Sequence, residues 1–472
     1  MRRILFTSAL LLSCFTQSSF AKHVTLRGFV TAVHSPTSFE MDQFKILDET
    51  EQEHQRRVSA GLNHTGVPQL KPGTLRVGLE VEVKGNYDRK TGEVWATAIK
   101  AVSDDSDPDK SIEGMGLVED KSSLHKTAQG WSGRFKADGE TLVLAGETQI
   151  SLKRSRAERK ERQDLGLDSD DVSSFSADDI DLDTFAHYEG VRQADHSILA
   201  RRIEFRQDRA ATESDWSYLE PKVLYRDSKS ESGALSIGQK EYELFPSPEA
   251  ADYLGKLGAS LIPAHQKELA EKNPGKVQFR FFLTNSDFFG VDTYPNGVIV
   301  VTANVLDTLD NEAQLAFLLS HEMARVVEKQ NWTTSKYRET ERKEVEAVGV
   351  AAVASGGLGG PLVAYFVDKR ITRKFVRALQ DQSDRVGMEY MLAAGYDPNQ
   401  AVEFWRVLEK KRAKGPFWGD SDENLVRRTY IQSELQLDYA GRDFSSRKHD
   451  STDFCTAVDE MKAARVRGKA KK

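Results

Sequence analysis

Cysteine is nearly absent from this chain of 472 residues, which has only Cys14 and Cys455. With Cys14 inside the apolar N-terminal segment, the rest of the chain can build neither a disulfide framework nor a thiolate metal cluster. Stability must come from hydrophobic cores. A surplus of positive charge is also missing. The 66 Lys and Arg stand against 73 Asp and Glu, a formal net charge of -7, so the chain carries no general electrostatic footprint for nucleic acid. The aspartate-rich stretch 168–183 lacks the D-x-D-x-D-G spacing and terminal Glu of a calcium loop. Long hydrophobic runs are scarce. Residues 347–367 form a stretch of 21 uncharged residues, long enough for a membrane span. Its centre, from Ser355 to Pro361, is rich in Gly and ends in Pro, so two short buried helices around a turn are expected instead.

The N-terminus combines two arginines, a short apolar run and the small-residue ending Ser19-Phe20-Ala21. Residues 1–21 therefore read as a secretory signal peptide, with the mature chain beginning near Lys22 and working in the periplasm or outside the cell. A second reading takes Leu11 to Cys14 as a loose lipoprotein box that would anchor the protein through a lipidated Cys14. Membrane association in the envelope stays open on that reading, and the sequence does not determine the oligomeric state.

From His23 to about Val102 apolar residues alternate at period two, punctuated by Gly, Pro and Asp, as in a small antiparallel β domain. The same order of signals then repeats. Gly116-Leu117-Val118 echoes Gly28-Phe29-Val30, and the spacing from Gly85 to Ile99 nearly equals that from Gly190 to Ile203. Two tandem five-stranded, OB-like barrels are expected, at residues 22–107 and 108–210. A charged insert interrupts the second, basic first and acidic afterwards, and reads as a solvated helix followed by a flexible loop. From about Tyr218 the period becomes helical, and residues 215–450 form a mainly helical α+β domain. Residues 451–472 are a basic tail, expected to be disordered from Lys462 onward.

Within the helical domain, NEAQLAFLLSHEMARVVEKQ (311–330) places Ala316, Leu319, Met323 and Val326 on one apolar side. It also carries His321 and Glu322. Two imidazoles at i and i+4 on a helix can hold one zinc ion, with the Glu beside the first taking a proton from metal-bound water. Here Arg325 occupies the i+4 position. A guanidinium has five donors, no free lone pair and a permanent charge, so it cannot be a ligand.

Three ordered segments, YPNGVIVVTANVLDTL, NEAQLAFLLSHEMARVV and QDQSDRVGMEYMLAAGYDP, together resemble the gluzincin metallopeptidases of the HtpX and CAAX-prenyl-endopeptidase family, including its periplasmic branch. The resemblance spans about Leu219 to Arg428 and implies a zincin-like metallopeptidase domain. It implies His321 as a metal ligand, Glu322 as general base and Asp384 as the partner that steadies a ligand. It also implies that Gln380 replaces the glutamate ligand, and that Arg427, in DSDENLVRR, matches a C-terminal arginine of the family. With two of three ligand positions replaced, zinc is not expected to be held tightly, because even loss of an outer partner typically costs about 10 to 100-fold in affinity. Arg325 is expected to stand in for the ion by pairing with Glu322 and Asp384. Other ligand-capable side chains, Asp381, Glu344, Glu346 and His265, lie in the same domain, and spacing selects none of them.

The resulting expectation is an exported, zinc-free pseudopeptidase that binds a polypeptide client. The client would lie along an edge strand at Gly297, Val298, Ile299 and Val300. The alternatives are a working zinc endopeptidase with an altered ligand set, and a scaffold acting through its barrels.

Overall fold

The computed structural model describes residues 22–47, 79–104, 111–206, 229–330, 379–411 and 427–470, with short gaps inside these ranges. The N-terminal segment with Cys14, the apolar stretch 347–367, Glu344 and Glu346 lie outside the described residues.

The first sheet holds β1 (Lys22–Phe29), β2 (Ala32–Ser35), β3 (Ser38–Met41), β4 (Phe44–Leu47), β5 (Leu79–Asp88) and β6 (Glu93–Asp104). Their order is β1-β5-β6-β4-β3-β2. Alternate residues such as Val81 and Val83 on β5, and Val94 and Ala96 on β6, turn inward to a core with Phe39 and Ile46. The second sheet holds β7 (Ser111–Asp120), β8 (His125–Thr127), β9 (Gly130–Ala137), β10 (Glu140–Leu144), β11 (Gln149–Lys153), β12 (Phe185–Arg192) and β13 (Ile198–Arg206). Five of these close on themselves through the pairs β7–β9, β9–β10, β10–β13, β13–β12 and β12–β7. This is a closed five-stranded barrel.

The repeat seen in the sequence is a repeat of topology. The order β1-β5-β6-β4-β3 in the first sheet matches β7-β12-β13-β10-β9 in the second. The equivalent hairpins, β5–β6 and β12–β13, each shift register at the same place, between Lys84 and Gly85 and between Glu189 and Gly190. A Cβ on Gly85 would lie 2.4 Å from the Trp95 carbonyl oxygen, and one on Gly190 2.5 Å from that of Leu199. Both bulges therefore need glycine to let two backbones approach. Among the described residues, no pairing closes the first sheet.

The charged insert begins as an exposed helix, α1 (Arg156–Asp164), as its charge density implies. Beyond it, a small sheet of β14 (Lys229–Glu231), β15 (Ala234–Ile237) and β16 (Lys240–Glu243) leads into the helical domain. That domain contains α2 (Pro248–Leu261), α3 (Ala264–Glu268), β17 (Arg280–Thr284), β18 (Val291–Thr293), β19 (Val298–Thr302), α4 (Ala303–Thr308) and α5 (Glu312–Val327). A helix at 379–393 follows, then α6 (Asn399–Lys411) and α7 (Thr452–Ala470). One hydrophobic cluster joins α2, β19, α5, the 379–393 helix, α6 and α7.

Two expectations are corrected here. The segment from 452 is a helix, not a disordered tail, because Phe454, Ala457, Met461 and Ala464 fall on one side and are buried in the main core. Phe454 packs against Tyr253 of α2 at 6.2 Å between ring centroids, and Arg465 pairs with Asp307. Of the basic residues that suggested a tail, Lys462 is exposed on this helix, and Arg465 is the one that pairs with Asp307. The second correction concerns β19. It lies between β17 and β18, hydrogen-bonded on both sides, so Val298, Ile299 and Val300 form a buried central strand. Gly297, at φ 85°, closes the tight turn from β18 into β19. The sheet edges are β17, bridged at Thr284 by Leu244, and β18.

Candidate functional site

The helix that carries the motif starts with a local signal. Asn311 caps α5 by accepting the Gln314 N–H at 3.0 Å, while the Gln314 side chain accepts the Asp310 N–H at 2.9 Å. Glu312 in the first turn suits the positive end of the helix dipole and accepts the Tyr396 hydroxyl at 2.6 Å. From there α5 is buried on almost every side, which is why its sequence reads apolar well beyond a single stripe.

His321 and Glu322 sit in the middle of this helix, 3% and 0% exposed. The 379–393 helix crosses against them so closely that a Cβ on Gly387 would lie 2.7 Å from the His321 Cα and N. That contact lets Asp384, one turn earlier, reach the imidazole, with its Oδ1 3.0 Å from His321 Nδ1. Arg427 holds the same carboxylate in a two-pronged grip, donating from Nε to Oδ2 at 2.8 Å and from Nη2 to Oδ1 at 2.7 Å. Its guanidinium lies 4.0 Å over the Trp405 ring of α6. Burial alone would raise the Asp384 carboxyl, but the Arg427 charge and the His321 contact outweigh it and hold the group below its usual range.

Glu322 is held from two sides through one oxygen. Its Oε2 accepts Thr293 Oγ1–H at 2.6 Å and Arg325 Nη1–H at 2.8 Å. Its Oε1 is buried with no hydrogen-bond partner among the described residues. Arg325 is partly exposed and thus reaches in from the rim. Its expected pairing with Glu322 is present. The expected pairing with Asp384 is not, because the fold brings Arg427 to that carboxylate instead. Gln380 is half-buried, with its Oε1 unpartnered among the described residues.

Among the described residues, the donor chemistry at the expected ligand positions does not fit a zinc ion. Of the residues at the expected ligand positions, only His321 offers a lone pair suited to the metal. Arg325 adds a fixed positive charge, Gln380 a neutral amide, and Asp384 has both oxygens engaged by Arg427. Among the described residues, no group of three His, Cys, Asp or Glu side chains is arranged to hold a metal. His265, a candidate by composition, is buried on α3 in a different part of the domain.

The same two helices also form a seam with the second barrel. Just beyond the site, Val327 packs on Leu117 and Phe185, and Glu328 accepts the Leu117 N–H at 3.1 Å. Beside Asp384, Arg385 turns the other way, donating to the Asp138 carbonyl at 2.7 Å and pairing with its carboxylate at 2.9 Å. Gln382 donates to the Met115 carbonyl, and Lys136 pairs with Glu389, both at 2.8 Å. Burial pushes the Glu328 carboxyl up to about 8, helped by the nearby Asp138 charge. Sequence reasoning missed Thr293, Trp405 and the whole seam. Thr293 lies 29 residues from Glu322 and has no distinctive spacing, and Trp405 reads as ordinary helix core.

Residues 283–436 match the sequence profile of peptidase family M48. The beta-barrel assembly-enhancing protease of Escherichia coli strain K12 is 25% identical over 225 residues, covering 44% of this chain and 44% of that protein. The protein of the same name from Yersinia pestis is 23% identical over 177 residues, covering 35% and 34%. The mitochondrial metalloendopeptidase OMA1 of Schizosaccharomyces pombe is 27% identical over 115 residues, covering 24% and 33%. The chain thus spans less than half the length of each of these relatives. Among the described residues, no helix is long and apolar enough to cross a membrane.

Proposed function

Residues 283–436 belong to peptidase family M48, and on that premise we propose that this chain is a zinc-free pseudopeptidase that binds polypeptides in the cell envelope. The carrying observation is the pair of ionic locks. Arg325 and Thr293 occupy Glu322, so the group that would activate water is engaged within the protein, while Arg427 fixes Asp384 against His321. A guanidinium beside Glu322 balances its buried charge without a metal.

The client would lie along β18, the sheet edge whose Thr293 reaches into the site, and add to it as a further strand. The beta-barrel assembly-enhancing proteases among the relatives support a client that is an incompletely folded, strand-forming chain. We read both β units, 22–107 and 108–210, as OB-like modules on the strength of their common strand order, attached to a peptidase-like domain at 215–450. Export rests on the character of residues 1–21.

Elemental analysis of the purified mature chain tests this reading, with the double variant Arg325→His/Gln380→Glu alongside. The expected result is less than a tenth of an equivalent of zinc in the wild type and about one equivalent in the variant. One tightly held zinc in the wild type, together with hydrolysis of an unfolded protein, would make the chain a working peptidase and end the proposal.

A further inference from the structure

A cavity of about 620 Å³ opens along the seam between the second barrel and the helical domain. The 379–393 helix contributes Arg385, Met388, Glu389 and Leu392 to it, whereas Gly387 packs against His321 and Asp384 pairs with it. The cavity is therefore separate from the site at Glu322, with the same helix as the dividing wall. Its volume lies within the usual range for small-ligand pockets, roughly 300–1,000 Å³.

Three of its lining side chains have a buried polar atom with no hydrogen-bond partner among the described residues: Glu119 Oε1, His265 Nε2 and Tyr390 Oη. His265 and Tyr390 are 6% and 4% exposed, with ring centroids 5.9 Å apart. All three can accept a hydrogen bond. A carboxylate and a phenol do so directly, and burial holds the His265 pKa at about 4, so its ring is neutral and keeps an acceptor nitrogen. Unmade hydrogen bonds in one buried place are costly unless something donates to them.

The charges around this spot say what kind of donor fits. Glu119 lies near Glu389 and Glu328, and burial together with these like charges raises its carboxyl. Lys136 is the cation that acts on Glu119, and it is already engaged by Glu389 at 2.8 Å; the other inner cations of the lining, Arg385 and Arg134, are paired with Asp138 and Asp195, each at 2.9 Å. The interior has room for one more positive charge. An ammonium, with three donors, matches three acceptors. At the mouth stand Arg442 and Arg447, both exposed, which favour a neutral or anionic group there and disfavour a second cation.

We propose that this cavity binds a lysine side chain, its ammonium held by Glu119, His265 and Tyr390 and its carbonyl or carboxylate end facing Arg442 and Arg447. The site is independent of the reading of Glu322, since it uses none of the same side chains. It would give the seam a ligand of its own, either a lysine of a client polypeptide or the amino acid.

Isothermal titration of the full chain with Nα-acetyl-lysine tests the assignment, with Nα-acetyl-norleucine and 1,5-diaminopentane as comparisons. Acetyl-lysine is expected to bind, the norleucine analogue to bind at least about tenfold more weakly, and the diamine to fall between them. Glu119→Gln keeps the shape of a protonated acid and should weaken acetyl-lysine by at least about tenfold. Tyr390→Phe removes only the hydroxyl and should weaken it by about threefold to tenfold, which serves if the first variant does not fold. No binding of acetyl-lysine to the wild type would mean that the cavity holds water alone and would overturn the proposal. Equal binding of the norleucine analogue would do the same, and so would a diamine that binds as tightly as acetyl-lysine.

Discussion

The site around Glu322 and the seam around Glu328 lie six residues apart, within α5 and at its C-terminal cap, and they treat buried carboxylates in opposite ways. At the site each acid has its own cation: Arg427 for Asp384 and Arg325 for Glu322. At the seam, Asp138 has Arg385 and Glu389 has Lys136, while Glu328 is met by a backbone N–H and Glu119 has only a share of Lys136. The consequence is visible in the proton equilibria. Asp384 is held below its usual range, and Glu328 is pushed up to about 8. Asp384 stays charged down to acid pH and Glu328 holds a proton near neutrality, and the two regions share a wall made of α5 and the 379–393 helix.

Breaking the lock should cost the most. Arg427→Met removes both hydrogen bonds to Asp384 and leaves a fully buried carboxylate with only His321 beside it, an expected loss of about 3–5 kcal/mol in denaturant unfolding. A loss below about 1 kcal/mol would mean that Asp384 had found another cation or a proton, and the contrast between the regions would disappear. Arg385→Met breaks the matching lock at the seam and should cost somewhat less, about 2–4 kcal/mol, because the Tyr188 hydroxyl still donates to Asp138 at 3.2 Å. It should also release the barrel from the helical domain, which limited proteolysis would report as cleavage between the two.

The smallest effect is the sharpest test, because its sign depends on pH. The raised Glu328 pKa contributes stability that is complete below the ordinary carboxylate range and is lost as the pH rises through about 8. Asp384 runs the other way: its contribution is present at neutral pH and disappears only as the pH falls through its lowered pKa. Glu328→Gln should therefore match the wild type near pH 6 and exceed it by about 1–3 kcal/mol at pH 9, where the wild type must bury a charge. Parallel stability curves for the two proteins from pH 6 to 9 would show that Glu328 is not the alkaline-sensitive group of the seam.

Much of the architecture was legible in the chain because it rests on local rules. The tandem repeat shows in the Gly85 and Gly190 spacing, since a bulge where backbones touch admits little else. The motif helix shows in its period, and Arg325 is visible simply by standing where an imidazole would be. Other features were misread for physical reasons. Period-two alternation marks a strand but not its neighbours, so VIVV could not be told from an edge strand, and the edge strand beside the site, β18, is only three residues long. In the C-terminal helix, frequent Lys and Arg hid the four apolar positions that bury it.

What the sequence alone determined is the β repeat, the motif helix, and the presence of Arg325 and Gln380 where the resemblance expects ligands. Periodicity and bulge glycines act between near neighbours, and a residue that cannot bind a metal is visible without coordinates. The tertiary structure decided the partners: Arg427 rather than Arg325 for Asp384, Thr293 for Glu322, and the barrel's Asp138 for Arg385. These pairs join residues dozens to hundreds of positions apart. Coulomb attraction and hydrogen bonding depend on distance in space, so only the packing of helices against barrel can select among the many oppositely charged residues the chain offers.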